Sequence, residues 1–206
     1  MKRAILSTAY FPNIQYISKF VLYDEISIEQ MDTYAKQTYR NRCLILAANG
    51  PLHLTVPIVK NFRTPVKDIL IDYSEEWQKK QSRAILSAYK NTAFYDHYFP
   101  ELEYFFVKKE KFLIDLNTKI LDTLLGSIGI SKSYKITDDY IKNPENTIDL
   151  RDKIHPKASK NTHDANFEPS EYYQVFSDRH GFIPNLSIID LLFNEGPLTL
   201  SKLKET

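Results

Sequence analysis

Cysteine and glycine are scarce in this sequence, and each shortage excludes a class of site. Cys43 is the only cysteine among 206 residues, so neither an intrachain disulfide nor a cysteine-based zinc cluster can form. The five glycines build no GxxxxGK[ST] phosphate loop, no GxGxxG dinucleotide motif and no GxSxG nucleophile elbow. The five histidines include no pair four residues apart, which is a common spacing of zinc ligands.

An excess of one charge is missing as well, and so are long apolar runs. The 27 Lys and Arg residues against 26 Asp and Glu give a net charge of +1, which argues against a dedicated nucleic-acid-binding protein. No apolar run approaches the roughly 20 residues that a membrane helix needs, and the first residues lack the apolar stretch of a signal peptide. We therefore expect a cytoplasmic protein with no membrane span and no nucleic-acid partner.

Aromatic residues, by contrast, are abundant: 14 Tyr, 12 Phe and 1 Trp. The simplest interpretation is an aromatic core with tyrosine hydroxyls at its edge, and a tyrosine-lined cleft for a polar ligand is the alternative. The length predicts one domain spanning residues 1–206.

Hydrophobic periodicity predicts an α/β fold. Residues 4–8 form a buried apolar run, residues 14–21 carry apolar side chains at helical spacing, and residues 25–29 alternate between apolar and polar. Two β-rich runs, 42–48 and 52–59, flank Asn49-Gly50, a strong hairpin signal because both residues tolerate positive φ. We expect a single domain with a mixed β-sheet that carries this Asn-Gly hairpin.

Packed helices are predicted in the C-terminal two-thirds, over 77–90, 94–99, 112–125 and 186–193, with Pro100 ending the second of them. Residues 143–169 are rich in Asn, Asp, Lys and Pro, which predicts a long loop that is mobile or ordered by a ligand. Residues 201–206 are predicted to form a polar tail.

The clearest candidate for a binding site is the segment 34–42, which holds three cations and no Asp or Glu. Arg40 and Arg42 alternate, so on an extended segment both point to one face, and guanidinium groups suit phosphate or carboxylate. Asn41 and Lys36 add an amide and a third positive charge. A solvated loop is one alternative; the other is a structural use of the arginines through the carboxylates of Glu29, Asp32 or Asp72.

A second polar stripe lies on the predicted C-terminal helix. Ser187, Asp190 and Asn194 are spaced three and four residues apart, so they share one helix face. Asp190 and Asn194 are predicted to contact a ligand, and helix capping with internal hydrogen bonds is the alternative.

Taken in order, these segments resemble the WbqC-like protein family, found in bacterial polysaccharide gene clusters. The resemblance runs from about residue 4 to residue 196. It includes Tyr10-Phe11-Pro12, the segment 34–42, Leu54-Thr55-Val56-Pro57 and residues 185–196, whose form is similar to the Bacteroidetes branch.

The resemblance implies transfer of a small acyl or aminoacyl group to a sugar in surface-polysaccharide (O-antigen) biosynthesis. The expected partner is an anionic small molecule such as a nucleotide-sugar or an acyl donor, held by Arg40 and Arg42. The implied roles are an oxyanion donor in Tyr10, a general base in Glu29 or Asp72, and ligand-orienting amides in Gln15 and Asn41.

One departure from the family pattern weighs against catalysis. Relatives often carry His four residues after the helix Trp, whereas this chain has Gln81, and an amide cannot act as a base near neutral pH. The alternative function is a non-catalytic ligand-binding or scaffolding protein of the same pathway. A third option is a phosphate-ester hydrolase whose metal would be held by the carboxylates of Glu29, Asp72 and Asp190.

Overall fold

A four-stranded parallel sheet forms the centre of the fold. The computed structural model describes residues 1–59, 63–156 and 164–206. Its strands are β1 (Arg3–Ser7), β2 (Glu25–Glu29), β3 (Arg42–Ala47), β4 (Gly50–Thr55), β5 (Lys135–Ile136) and β6 (Ile148–Asp149). The order in the sheet is β5-β2-β1-β6, and every neighbouring pair is parallel. The carboxyl ends of these strands therefore meet at one edge of the sheet.

β1 and β2 are joined by α1 (Ile14–Leu22), which confirms the predicted strand–helix–strand unit. α1 begins where the side chain of Asn13 accepts a hydrogen bond from the backbone N–H of Tyr16. The turn before it places Phe11 at a φ of 38°, in the left-handed region that large side chains rarely adopt. Burial of the Phe11 ring, stacked 5.7 Å from Phe106, offsets this strain.

β3 and β4 form a separate two-stranded antiparallel sheet. Ala47 pairs with Gly50, so the turn residues are Ala48 and Asn49 rather than the predicted Asn49 and Gly50. Within 47–50, all of them described, only Gly50 has a positive φ, at 105°. This arrangement is typical of a type I turn followed by glycine. The α/β class is confirmed, with the parallel and antiparallel pairs in different sheets.

Packed helices lie in the C-terminal two-thirds, as predicted. They are α2 (Trp77–Tyr89), α3 (Tyr95–Val107), α4 (Leu113–Ile128), α5 (Ser177–His180), α6 (Ile188–Glu195) and α7 (Thr199–Lys204). α3 continues through Pro100, where the sequence predicted a stop. Pro100 has no N–H and so removes one helical hydrogen bond. The free energy gained by burying Leu102, Phe105 and Phe106 after the proline exceeds this loss. The buried side chains of sheets and helices form one core cluster.

Two segments predicted to be irregular carry regular structure. Within the predicted loop 143–169, β6 pairs with β1, and Leu150 and Ile154 are buried directly after it. Residues 157–163 of that loop lie outside the described residues. The predicted polar tail is largely helical, because α7 extends to Lys204 and buries Leu203.

Candidate functional site

A narrow cleft opens at the carboxyl edge of the parallel sheet. Its walls come from the end of β1, from the loop before β3 and from the segment after β6. The polar residues that line it are Ser7, Thr8, Tyr16, Thr38, Tyr39, Arg40, Arg151 and His155. Ligands of open parallel sheets commonly bind beyond the carboxyl ends of the strands, so this cleft is the candidate site.

Arg40 brings a buried positive charge into the cleft. The residue is 3% exposed, and its Nη2 lies 2.8 Å from Oδ2 of Asp32, whose side chain is 26% exposed. Nothing in the described part of the chain accepts a hydrogen bond from Nε of Arg40. Because a buried donor without an acceptor is costly, this guanidinium has unused capacity to bind an anion.

The backbone around Arg40 is fixed by hydrogen bonds from two other elements. The Nδ2 of Asn117 on α4 donates to the carbonyl oxygen of Arg40 at 2.8 Å and to Oγ1 of Thr8 at 3.1 Å. Oγ1 of Thr38 accepts a long hydrogen bond, 3.4 Å, from the Arg40 N–H. The guanidinium therefore projects from a loop tied to both β1 and α4.

Arg151 contributes a second guanidinium, which is already neutralised. Its Nε and Nη2 donate to the two carboxylate oxygens of Asp149 at 3.0 and 2.5 Å. Its Nη1 lies 3.3 Å from Oε2 of Glu29, the last residue of β2. Oε1 of Glu29 accepts from Oγ1 of Thr137 at 2.7 Å. Arg151 is thus a rigid part of the wall. Of the two arginines that line the cleft, Arg40 is the one whose Nε has no acceptor within the described residues.

His155 is the lining residue whose side-chain type suits proton transfer near neutral pH. Burial raises the pKa of Tyr16 and of Tyr39, so both phenols stay protonated near neutral pH. The hydroxyl of Ser7 donates to the carbonyl oxygen of Arg151 at 3.1 Å. Histidine is the side chain that exchanges protons near neutral pH, and His155 is the histidine that lines the cleft.

The three residues predicted to be catalytic do not come together. The hydroxyl of Tyr10 is buried and donates to Oε1 of Gln81 at 2.7 Å, and Gln81 in turn donates to the carbonyl oxygen of Thr55. Glu29 is engaged with Arg151 as described above. Asp72 accepts from the N–H of Ser74 in the turn before α2, and this hydrogen bond lowers its pKa.

Gln15 belongs to a buried polar network on α1. Its Nε2 donates to Oδ2 of Asp164 at 3.0 Å, and its Oε1 accepts from Nδ2 of Asn185 at 3.1 Å. The fully buried Lys19 pairs with the same Asp164 oxygen at 2.6 Å. Burial opposes the charge of Asp164, but the hydrogen bonds from Lys19 and Gln15 outweigh it and lower its pKa. Gln15 therefore links α1 to the C-terminal third of the chain.

Asp190 lies in a second buried network, away from the residues that line the cleft. Its two carboxylate oxygens accept from the hydroxyls of Tyr89 at 2.6 Å and Tyr172 at 2.7 Å. Burial raises the pKa of Asp190 to about 6, although both hydrogen bonds act in the opposite direction. Asn194 donates through Nδ2 to the Asp190 carbonyl oxygen. This arrangement matches the alternative of internal hydrogen bonding on the α6 face.

The other residues of the predicted cationic segment 34–42 differ in burial and do not line the cleft with Arg40 as a group. Lys36 is exposed, and Arg42 is half-buried at the start of β3. Asn41 is buried and donates through Nδ2 to the carbonyl oxygen of Val56 at 2.9 Å. Of the ten predicted site residues, Arg40 lines the cleft, and Glu29 reaches its wall through Arg151.

Metal chemistry finds no support in the described ranges, which contain no group of three or more His, Cys, Asp or Glu suited to hold an ion. Glu29, Asp72 and Asp190, the ligands of the hydrolase alternative, occupy three different settings. None of the described helices is long and apolar enough to cross a membrane.

Arg151 and His155 were missed by sequence reasoning for one reason. Both follow β6, whose two residues are too few to show a period of two. The available signal is the apolar pair Leu150 and Ile154, which interrupts the polar loop and is buried in the structure.

A family model described as the WbqC-like protein family matches residues 8–166. An uncharacterized protein of Mycobacterium tuberculosis is 25% identical over 213 aligned residues, which cover 91% of this chain and 88% of that protein. No solved structure matches the chain.

Proposed function

The chain belongs to the WbqC-like protein family, and we propose that it transfers a small acyl or aminoacyl group from an activated donor to a sugar hydroxyl, in surface-polysaccharide (O-antigen) biosynthesis. The observation that carries this proposal is Arg40, a buried guanidinium that lines the cleft and whose Nε has no hydrogen-bond acceptor among the described residues. The anion that it binds is a phosphate or carboxylate of one substrate.

The charge balance around Arg40 supports this role. Asp32, its carboxylate partner within the described residues, is a quarter exposed and contacts Nη2, so part of the guanidinium remains for a second anion. A bidentate hydrogen-bonded pair with phosphate or carboxylate uses the donor geometry that only arginine offers. Arg151 cannot take this role, because Asp149 already occupies its Nε and Nη2.

His155 is the general base of the proposed transfer. Its imidazole accepts the proton of the sugar hydroxyl while the hydroxyl oxygen forms a bond to the acyl carbon of the donor. The bond from that carbon to the donor's leaving group breaks, and the leaving group departs with the electron pair and takes up the proton from His155. This assignment replaces Glu29 and Asp72 in the catalytic role, since Glu29 is bound by Arg151 and Asp72 lies in a turn.

A non-catalytic binding protein is the second candidate, and one observation favours it. Tyr10, Glu29 and Asp72 all take part in internal hydrogen bonds, Asp72 through Oδ1. The two candidates share the Arg40 anion site and differ in whether His155 moves a proton.

Two measurements separate these candidates. Isothermal titration calorimetry with pyrophosphate compares the wild-type protein with R40K, which keeps the charge but loses the planar fork. Mass spectrometry then follows acyl transfer from acyl thioesters and acyl phosphates to a panel of nucleotide-sugars, with H155Q as the test variant. H53Q is the matched control, because His53 is an exposed residue on β4.

The transferase proposal expects pyrophosphate binding that weakens in R40K, and a product that H155Q loses and H53Q retains. Binding with no transfer to any sugar of the panel favours the non-catalytic protein. Pyrophosphate binding of equal strength in R40K and wild type contradicts the anion site in both candidates.

A further inference from the structure

Tyr140 is an exposed aromatic residue that packs on the buried side chain of Arg151. The residue is 51% exposed, and the guanidinium carbon of Arg151 lies 5.2 Å from the centre of its ring. Arg151 lines the cleft. Tyr140 is therefore packed on a cleft residue while about half of its surface stays available to a ligand.

The backbone beside Tyr140 is fixed on both of its polar groups. The N–H of Ile141 donates to Oε2 of Glu29 at 3.3 Å, and the Ile141 carbonyl oxygen accepts from Nη1 of Arg151 at 2.8 Å. Glu29 and Arg151 are themselves joined at the sheet edge and both are buried. The chain next to Tyr140 is therefore tied to the end of β2 and to the segment after β6.

Arg151, on which the Tyr140 ring packs, lines the same cleft as Arg40. A ligand that reaches both Arg40 and the surface near Arg151 needs an anionic group and, at some distance from it, a flat ring. Stacking on a tyrosine is open to any nucleobase, since every base has a π face. A nucleoside diphosphate carries both features in one molecule.

We infer that Tyr140 is a stacking platform for the base of a nucleoside diphosphate whose phosphates bind at Arg40, with Glu29 and Arg151 as positioning residues. This inference rests on the proposed function and specifies its sugar substrate as one carried on a nucleoside diphosphate. It also explains the place of Glu29 at the cleft edge without a proton-transfer role.

The test is calorimetric binding of two probes, uridine diphosphate and pyrophosphate, to the wild-type protein and three variants. Y140A removes the platform, Y140W keeps an aromatic surface, and Y104A is the matched control, because Tyr104 is 46% exposed on α3. Y140A is expected to weaken uridine diphosphate by about 5- to 100-fold, the range of base stacking on an aromatic side chain. The affinity of Y140A for pyrophosphate should equal that of the wild type. Y140W should keep its affinity for uridine diphosphate, and Y104A should bind both probes as the wild type does.

A positioning role for Glu29 is tested by combining substitutions. E29Q should weaken uridine diphosphate more than pyrophosphate, and in the double variant E29Q/Y140A the loss should be no greater than in Y140A alone. Additive losses contradict the positioning role, because they mean that Glu29 acts on the ligand independently of Tyr140.

Failure of this inference is distinct from failure of the anion site. If Y140A leaves uridine diphosphate binding unchanged, or weakens both probes equally, the platform is overturned while Arg40-dependent pyrophosphate binding still stands. If neither probe binds the wild-type protein, the anion site and the platform are both overturned.

Discussion

Arg40 and Asp32 form an ion pair whose partners are buried to very different degrees, with Nη2 and Oδ2 2.8 Å apart and side-chain exposures of 3% and 26%. Arg40 thus makes a structural contact through Nη2, while its Nε has no acceptor within the described residues. The sequence alone had posed a structural use and ligand binding as alternatives.

Replacing Arg40 by Ala should therefore have two separable effects. The free energy of unfolding should fall by about 1.5–3 kcal/mol, the scale of a hydrogen bond to a charged group, because Asp32 regains hydration when its partner is removed. Pyrophosphate should raise the melting temperature of the wild-type protein and leave that of R40A unchanged. Urea unfolding and thermal melts with added pyrophosphate measure the two effects. Breaking a fully buried ion pair costs about 3–5 kcal/mol. If R40A loses that much unfolding free energy and pyrophosphate still raises its melting temperature, Arg40 stabilises the fold and does not bind the anion.

Glu29→Gln should destabilise the protein even though the side chain keeps its size. The substitution removes the charge that faces Arg151 and replaces one of the two buried acceptor oxygens by an amide N–H₂ group. Because Asp149 still neutralises Arg151, we expect a loss of about 1–3 kcal/mol rather than the larger cost of an uncompensated buried charge. Urea unfolding at pH 7 gives the value, and a midpoint equal to that of the wild type would mean that the Glu29–Arg151 contact contributes nothing.

Asp190 should give the protein a distinct dependence of stability on pH. Burial raises its pKa in the folded state to about 6, above the value of about 3.9 in an unfolded chain. Between these two values the folded protein holds a proton that the unfolded chain has released, so this residue's contribution to stability is greatest below pH 4 and falls as the pH rises to 6. The wild type should thus lose up to about 2–3 kcal/mol relative to D190N across that window, and nothing further above it.

The measurement is the difference in unfolding free energy between wild type and D190N at a series of pH values. Y172F provides the internal control, because it removes one hydroxyl that stabilises the charged carboxylate and should move the fall to higher pH. A difference that rises with pH between 4 and 6 would contradict the buried, proton-holding carboxylate.

Alanine substitutions at three glycines should give effects of different sign and size. Gly196 has a φ of 53°, and an added Cβ would approach the Phe94 ring to 2.5 Å, so G196A combines backbone strain with a clash. Gly50 has a φ of 105° but meets only ordinary contacts with His180, so G50A should cost about 1 kcal/mol through strain alone.

Gly126 lies within α4 with open space around it, so G126A should stabilise the protein by about 0.5–1 kcal/mol. In thermal melts the melting temperature should be highest for G126A, followed by the wild type, G50A and G196A. The same strain argument makes Gly50→Val more destabilising than G50A, because a β-branched residue tolerates positive φ least. Equal melting temperatures for G50A and G126A would contradict the turn geometry.

Local signals in the sequence are sufficient for part of the fold. The strand–helix–strand unit of β1, α1 and β2 and the helix from Trp77 follow from periodicity, because each is long enough to show its period. β5 and β6 contain two residues each and exist because longer strands beside them offer free hydrogen-bonding edges. Because this pairing depends on distant parts of the chain, the sequence of β5 and β6 alone does not predict it.

The candidate site was predictable to the same limited degree. Arg40 stands out by its neighbours in the chain, and it does line the cleft. Its partner Asp32 lies 8 residues away in the chain, and the Glu29–Arg151 contact joins residues 122 apart. A cation's own sequence context does not determine which carboxylate it finds.

The pairing of β6 with β1 has a consequence for the order of events during synthesis. The hydroxyl of Ser7 and the carbonyl oxygen of Arg151 meet across 144 residues, so one wall of the cleft leaves the ribosome long before the other. Until β6 emerges, the outer edge of β1 is an unpaired strand edge, open to pairing with another chain. Such non-local parallel pairing folds slowly, which makes the nascent chain rather than the finished protein the form most exposed to aggregation.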